Sequence, residues 1–288
     1  DLIDADPELK AAMESMHPAV LNAYSTYPNS TPNYYGFPQF PDVLVTYGRK
    51  DVLCNDDEQA AFKAKYNEKL PCTGEEIDAM DWNTFEHVGE FFQRKKGDKL
   101  AGQVLDDDFY GIAYQAGKGY DFSTSSVHSF VWQHGGGIWD ETKAPTGHAE
   151  GVVNSPKSIE GMEHFLKLLK FMPPVVKTGT MDIFVSDQLF REGKVAMNID
   201  WIGLAEASLD PKTSKVADKL VFGMAPGLRG PDGKVNRTSQ IGGQPFVLTT
   251  WTTPEQIKEA VGLVKWWLSL DFQHQFAAGG GQSAIKSV

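Results

Sequence analysis

Apolar residues recur at helical spacing in several stretches of this chain and at strand-like density in others. Val127, Phe130 and Val131 share one face ahead of Gly135–Gly137, which predicts a helix over 123–134 ended by a glycine C-cap. Asp81 can cap a helix carrying Phe85, Val88, Phe91 and Phe92 on one stripe. Ser155 and Pro156 open another, with proline at the first helical position and Ile159, Met162, Phe165, Leu166 and Leu169 predicted as its buried face. Thr253 with Gln256 forms a capping box ahead of a third buried stripe, Ile257, Ala260, Val261, Val264, Trp267 and Leu268. Residues 6–22 predict a short helix, after which Pro28, Pro32, Pro38 and Pro41 hold the chain in extended stretches and turns. A further short helix over 186–193 stops at Gly193.

Strand signals fall between these helices: 43–47 (VLVTY), 110–114 (YGIAY), 194–199 (KVAMNI), 221–225 (VFGMA) and 241–250 (IGGQPFVLTT). Pro231-Asp232-Gly233 reads as a turn. Strands alternating with helices over the whole length predict an α/β architecture.

Composition narrows the functional classes. The 288 residues are 41% hydrophobic and 23% charged, ordinary for a globular chain, and their number suits one large domain or two lobes. A net charge of -11 argues against nucleic acid as a partner, since a phosphate backbone wants a basic face. No run of 18 apolar residues predicts a membrane span, and no charged-then-apolar start predicts a signal peptide in this numbering, though a mature exported chain would have lost one. Cys54 and Cys72 flank a charged, helix-like segment, and one helix with a return loop can bring them together. They are expected to bridge rather than to remain two free thiols, and a bridge implies an oxidising compartment. Asp106–Asp108 lacks EF-hand spacing and reads as a solvated turn.

Catalytic constellations are missing. The chain has no GxSxG elbow, P-loop, HExxH or GxGxxG after a strand, and its seven histidines lack metal-ligand spacing. Among 38 carboxylates some acidic pair always exists, so a glycosidase reading stays open without a specific signal. The candidate binding residues are of another kind. The 194–199 strand delivers Asp200 and Trp201 to its carboxyl end, where α/β sheets bind ligands; the tryptophan is either a core plug or a stacking platform. Tyr120, Asp121 and Phe122 follow a glycine-rich turn and either wall a cleft or simply precede a helix. Asp42 enters a strand, as a turn carboxylate or a ligand acceptor. Gly242 and Gly243 either make a plain turn or let backbone approach a ligand.

Four motifs in order resemble the extracellular solute-binding proteins, family 1, that serve sugar ABC importers: YGRKD (47–51), YDF…WQHGGGIWDE (120–141), LFREGKVAMNIDW (189–201) and GGQPFVL (242–248). The resemblance runs over essentially the whole chain. It implies a two-lobed, periplasmic-binding-protein type II fold with an inter-lobe cleft, here lacking the N-terminal strand-helix-strand block and the C-terminal helices. One partial lobe would be 1–41 with 245–288, the hinge crossings 42–48 and 241–244, and the second lobe 49–240. The implied function is capture of a sugar or polyol, in the periplasm or outside the cell at the membrane, by closure of the lobes, and delivery to ABC permease subunits by a monomer without a cofactor. Physical chemistry assigns the roles: Trp201 as the apolar platform, Asp42 and Asp121 as hydroxyl acceptors, Tyr120 and Phe122 as walls, and Gly242, Gly243 and Gln244 contributing from the hinge. Two rival readings are a carbohydrate-active enzyme and a binder of a cationic solute, such as a polyamine, held by Asp42, Asp121, Asp182 and Asp200. No arginine clamp favours an anionic ligand.

Overall fold

The computed structural model describes residues 2–28, 30–120, 122–140, 142–143 and 147–288, the side chain of Phe122 excepted. The chain starts with α1 (Pro7–Glu14) and α2 (Pro18–Tyr24), then β1 (Phe37–Arg49). Next come α3 (Lys50–Leu53), α4 (Asp56–Tyr66), α5 (Gly74–Asp78) and α6 (Trp82–Phe91). A small hairpin of β2 (Lys99–Leu100) and β3 (Gln103–Val104) leads to β4 (Tyr110–Tyr114), α7 (Phe122–Gln133), α8 (Pro156–Leu168), α9 (Ile183–Arg191) and β5 (Val195–Trp201). The rest is α10 (Ala205–Leu209), β6 (Leu220–Met224), the hairpin β7 (Leu228–Arg229) and β8 (Val235–Asn236), β9 (Ile241–Phe246), α11 (Pro254–Leu268) and α12 (Leu270–Ala278). These elements divide into two compact units, Asp1–Val43 with Ile241–Val288, and Leu44–Gln240.

The larger unit is built on a sheet of order β4-β5-β1-β6. β4 and β5 run parallel, with Tyr110 opposite Val195 and Tyr114 opposite Ile199. The Leu44–Arg49 part of β1 runs antiparallel to both β5 and β6. Strands buried on both faces read as continuous apolar runs, and every residue of β5 up to Asp200 is buried. Tyr47, Trp82, Phe85, Ile112, Phe130 and Phe190 are among the side chains that fill the core above and below. Asp81 caps α6 by accepting from Thr84 N at 3.0 Å, as its sequence predicts. Cys54 and Cys72 form a disulfide with Cα atoms 5.1 Å apart, across α4.

Packing departs from the sequence expectation on α8. Ser155 caps it and Pro156 opens it, yet the buried positions are Ser158, Gly161, Phe165 and Leu168. Ile159, Met162 and Leu166, expected in the core, are 47%, 38% and 52% exposed. The cause is the close approach of α7: a Cβ on Gly161 would sit 2.7 Å from the Val131 Cα. Backbones meet that closely only where the side chain is absent, so the buried stripe turns toward the small residues. In α7 the same crossing buries Ser125, Ser126 and Ser129 with Phe130 and Val131, while Val127 is half-buried.

In the smaller unit, the Phe37–Val43 part of β1 pairs antiparallel with β9. The strand is longer than the 43–47 run predicts and contains Pro38 and Pro41. Prolines lack an N–H for a second neighbour, and this part of β1 pairs with β9 alone among the described strands. The single helix expected over 6–22 is two, because Pro18 cannot continue α1 but suits the first position of α2. Asp6 caps the first, and His17 Nδ1 caps the second by accepting from Ala19 N at 3.3 Å. Leu9, Met13, Met16, Phe37, Val264 and Leu268 form this unit's core. The capping box of Thr253 and Gln256 opens α11 as expected, whereas α12, capped by Ser269, carried no recognised sequence signal.

Candidate functional site

The carboxyl ends of β4, β5 and β6 lie along one edge of the larger unit's sheet, because all three run opposite to β1 or parallel to each other. Parallel α/β sheets expose backbone and loops at that edge, which is where ligands bind. β5 delivers Asp200 and Trp201 there, β4 delivers Gln115 and the turn to Tyr120, and β6 ends at the half-exposed Met224.

Trp201 is half-buried and packs in part against the core, with Leu44 as its register partner. Its backbone is fixed on both sides. Tyr47 Oη donates to the Trp201 carbonyl at 2.6 Å, and Trp201 N donates to Asp200 Oδ1 at 2.9 Å. Asp200 itself is 1% exposed and turned inward. Ser186 Oγ donates to its Oδ2 at 2.8 Å and Asn198 Nδ2 at 3.2 Å. Burial pushes its carboxyl up to about 7 against these three hydrogen bonds, since desolvation disfavours the charged form. Asp182, the other acid invoked for a cationic solute, caps α9 by accepting from Val185 N at 2.9 Å. Asp200 is thus turned away from any rim, while Asp182 is half-buried at the start of α9.

The turn after β4 is tied down before it opens outward. Ala116 N donates to Met181 O at 2.8 Å and Lys118 N to Gly179 O at 2.7 Å. Tyr120 then takes a left-handed backbone, φ 38°, and is 87% exposed. Asp121 lies outside the described residues, as does the side chain of Phe122 at the start of α7. Behind the turn, Gln115 is fully buried and both atoms of its amide lack a hydrogen-bond partner among the described residues, as does Ser125 Oγ.

Asp42, Gly242, Gly243 and Gln244 belong to the β1–β9 pair of the smaller unit. Asp42 stands opposite Gly242, Pro41 opposite Gly243 and Phe40 opposite Gln244. Gly243 has φ 100°, and a Cβ there would overlap the Phe40 carbonyl oxygen, so the strand crossing itself requires glycine. Gln244 is exposed and Asp42 half-buried. Tyr24, at the end of α2, joins this group without having been singled out in the sequence. Its hydroxyl donates to the Gly242 carbonyl, and burial together with the Asp42 carboxylate pushes it up to about 12. The structure thus gathers Trp201 and the Tyr120 turn at one sheet edge of the larger unit, and Asp42, Gly242, Gly243 and Gln244 in one strand pair of the smaller. None of them lines the cavity of about 270 Å³ beside Glu68, Lys69 and Glu76, or the apolar groove of about 340 Å³ between Tyr34, Phe37 and Phe246.

No protein-family model matches the sequence, and no curated protein matches it. Solved structures do. An ABC transporter solute-binding protein from Agrobacterium radiobacter K84 in complex with ribitol is similar with a TM-score of 0.69 and 22% identity, over 98% of this chain and 60% of that one. The chain has a solute-binding-protein fold. Maltose-bound MalE3 of T. maritima is similar with a TM-score of 0.66 and 19% identity, over 100% of this chain and 62% of that one. A solute-binding protein from Agrobacterium vitis S4 with bound D-mannitol gives 0.66 and 18%, over 99% and 60%. The chain spans about 60% of the length of these solute-binding proteins.

Proposed function

We propose that the chain captures a sugar or polyol and hands it to the permease subunits of an ABC importer, as a monomer in the periplasm or outside the cell. The observation that carries this reading is the solute-binding-protein fold, matched to structures whose bound molecules are ribitol, maltose and D-mannitol. The disulfide between Cys54 and Cys72 supports an oxidising compartment.

In this reading Trp201 presents an indole face to the apolar C–H side of the ring or polyol chain, its backbone already fixed by Tyr47 and Asp200. Tyr120, exposed beyond the same sheet edge, walls the site together with Phe122, and the Asp121 carboxylate accepts from ligand hydroxyls. Asp42 accepts another hydroxyl, and Gly242, Gly243 and Gln244 supply backbone and amide groups. The segments 42–48 and 241–244 serve as the hinge crossings, a role that draws support from the division of the chain at Val43/Leu44 and Gln240/Ile241. Bending there closes the two units on the ligand, and the permease reads the closed form. No bond is made or broken, so the protein is not an enzyme.

A thermal-shift screen of sugars, polyols and polyamines tests the assignment, because a ligand that binds only the folded state raises the melting temperature. The expected result is a shift with at least one sugar or polyol and none with polyamines. A shift confined to polyamines, or product formed from an oligosaccharide, overturns it.

A further inference from the structure

β4 ends beside a side chain that the fold leaves without a partner. Gln115 follows Tyr114 directly and is fully buried. Its backbone is fixed: Ser126 Oγ donates to the Gln115 carbonyl at 2.5 Å, and the next residue, Ala116, donates its N–H to Met181 O at 2.8 Å. Its amide is not. Of the five buried side-chain nitrogen and oxygen atoms without a hydrogen-bond partner among the described residues, three are Gln115 Oε1, Gln115 Nε2 and Asn198 Oδ1. The β4–β5 register sets Tyr114 opposite Ile199, so Gln115 comes level with Asp200, and alternate strand residues share a face. On that face Asp200 takes its donors from Asn198 Nδ2 at 3.2 Å, Ser186 Oγ at 2.8 Å and Trp201 N at 2.9 Å, and none of these bonds reaches the glutamine. Leaving a buried donor and acceptor unmade is costly, and a native fold that keeps such a pair calls for an explanation. Here the pair stands at the sheet edge that carries Trp201.

We propose that Gln115 is a ligand-binding residue that selects neutral hydroxyl groups, an inference that rests on the sugar or polyol reading given above. A hydroxyl both accepts and donates, so neighbouring hydroxyls of one solute satisfy Nε2 and Oε1 together. An ammonium group only donates and leaves the Nε2 hydrogens unpaired, and a carboxylate only accepts and leaves Oε1 unpaired. The amide holds no bond to a described residue, so turning it outward about its side-chain torsions breaks none. The chain beyond it already departs from the sheet, with Ala116 bound to Met181. The solute then supplies the partners that the fold withholds, and an unfavourable feature of the free protein becomes a source of affinity.

Gln115→Met, which keeps the length of the side chain and removes the amide, tests this by two measurements. Denaturant titration without solute should give a midpoint at or above that of the wild type, because an unpaired buried amide is lost. Calorimetry with whichever of ribitol, D-mannitol and maltose the wild type binds should show affinity weakened by about tenfold. A third measurement does not depend on the variant folding: in isotope-labelled wild type, the Gln115 side-chain amide NMR signals should move when that solute saturates the protein. A folded variant that binds as tightly as the wild type, or Gln115 signals indifferent to saturating solute, overturns the role of Gln115. So does a midpoint well below wild type with affinity unchanged, which would mark the amide as internally paired. Wild type that binds none of the three solutes overturns the sugar or polyol reading itself, and the role of Gln115 with it.

Discussion

Trp201 and Asp200 show how one strand end sets two different properties. The Trp201 indole is half-buried and its backbone is held by Tyr47 and Asp200. Trp201→Ala is expected to lose about 1–3 kcal/mol of ligand affinity, the scale for burying a large apolar side chain. Calorimetry on the folded variant checks this, and unchanged affinity rejects the platform role. Asp200 governs pH dependence instead. Its carboxyl titrates near 7 in the folded chain and near about 3.9 when unfolded. Between these values the folded state holds a proton the unfolded state has released, so stability contributed by the protonated carboxyl is present below about pH 4 and is lost as pH rises to about 7. Asp200→Asn should remove that decline, an effect on the order of a few kcal/mol, read as the wild-type-minus-variant difference in denaturant midpoints across the window. At this scale the sequence told much about position and little about environment. Trp201 and Asp200 at a strand's carboxyl end followed from the KVAMNI run, but nothing local announces that Asp200 turns inward. Tyr24 was invisible for a related reason: its partner Gly242 lies 218 residues away.

Helix starts are written locally, and the capping residues Asp81, Ser155 and Thr253 mark α6, α8 and α11 as the sequence predicts. Helix faces are decided by neighbours, and there the reading of α8 fails. Apolar spacing favoured Ile159, Met162 and Leu166, but the approach of α7 selected Gly161 and Ser158. Gly161→Val should therefore destabilise the larger unit by about 1–3 kcal/mol through overpacking, whereas Ile159→Ser should change little. Parallel denaturant titrations decide between them, and the reverse order of effects would contradict the packing described. β1 likewise outran its sequence signal because Pro38 and Pro41 are tolerated where only β9 pairs. The covalent link across α4 is an element-scale feature too. Cys54→Ser with Cys72→Ser is expected to cost about 3 kcal/mol in the chain-entropy account of a loop this size, measured by chemical denaturation under non-reducing conditions.

At the scale of the whole molecule, the α/β alternation and the order of four motifs pointed to the fold that the comparisons bear out, with the ribitol, maltose and D-mannitol binders 18–22% identical to this chain. YGRKD spans the end of β1 and the start of α3, and LFREGKVAMNIDW the end of α9 and the whole of β5, so these motifs were legible as element boundaries. The ligand was not, since specificity rests on a few hydrogen bonds from residues in separate parts of the chain. The central claim is that this chain binds a small polyhydroxylated solute without altering it. Isothermal titration calorimetry with ribitol, D-mannitol and maltose, followed by chromatography of the recovered solute, tests it most directly. Saturable binding of at least one of them at one molecule per chain, with the solute recovered unchanged, is the predicted result. Folded protein that gives no saturable heat with any of the three, or that returns a cleaved product, would contradict it.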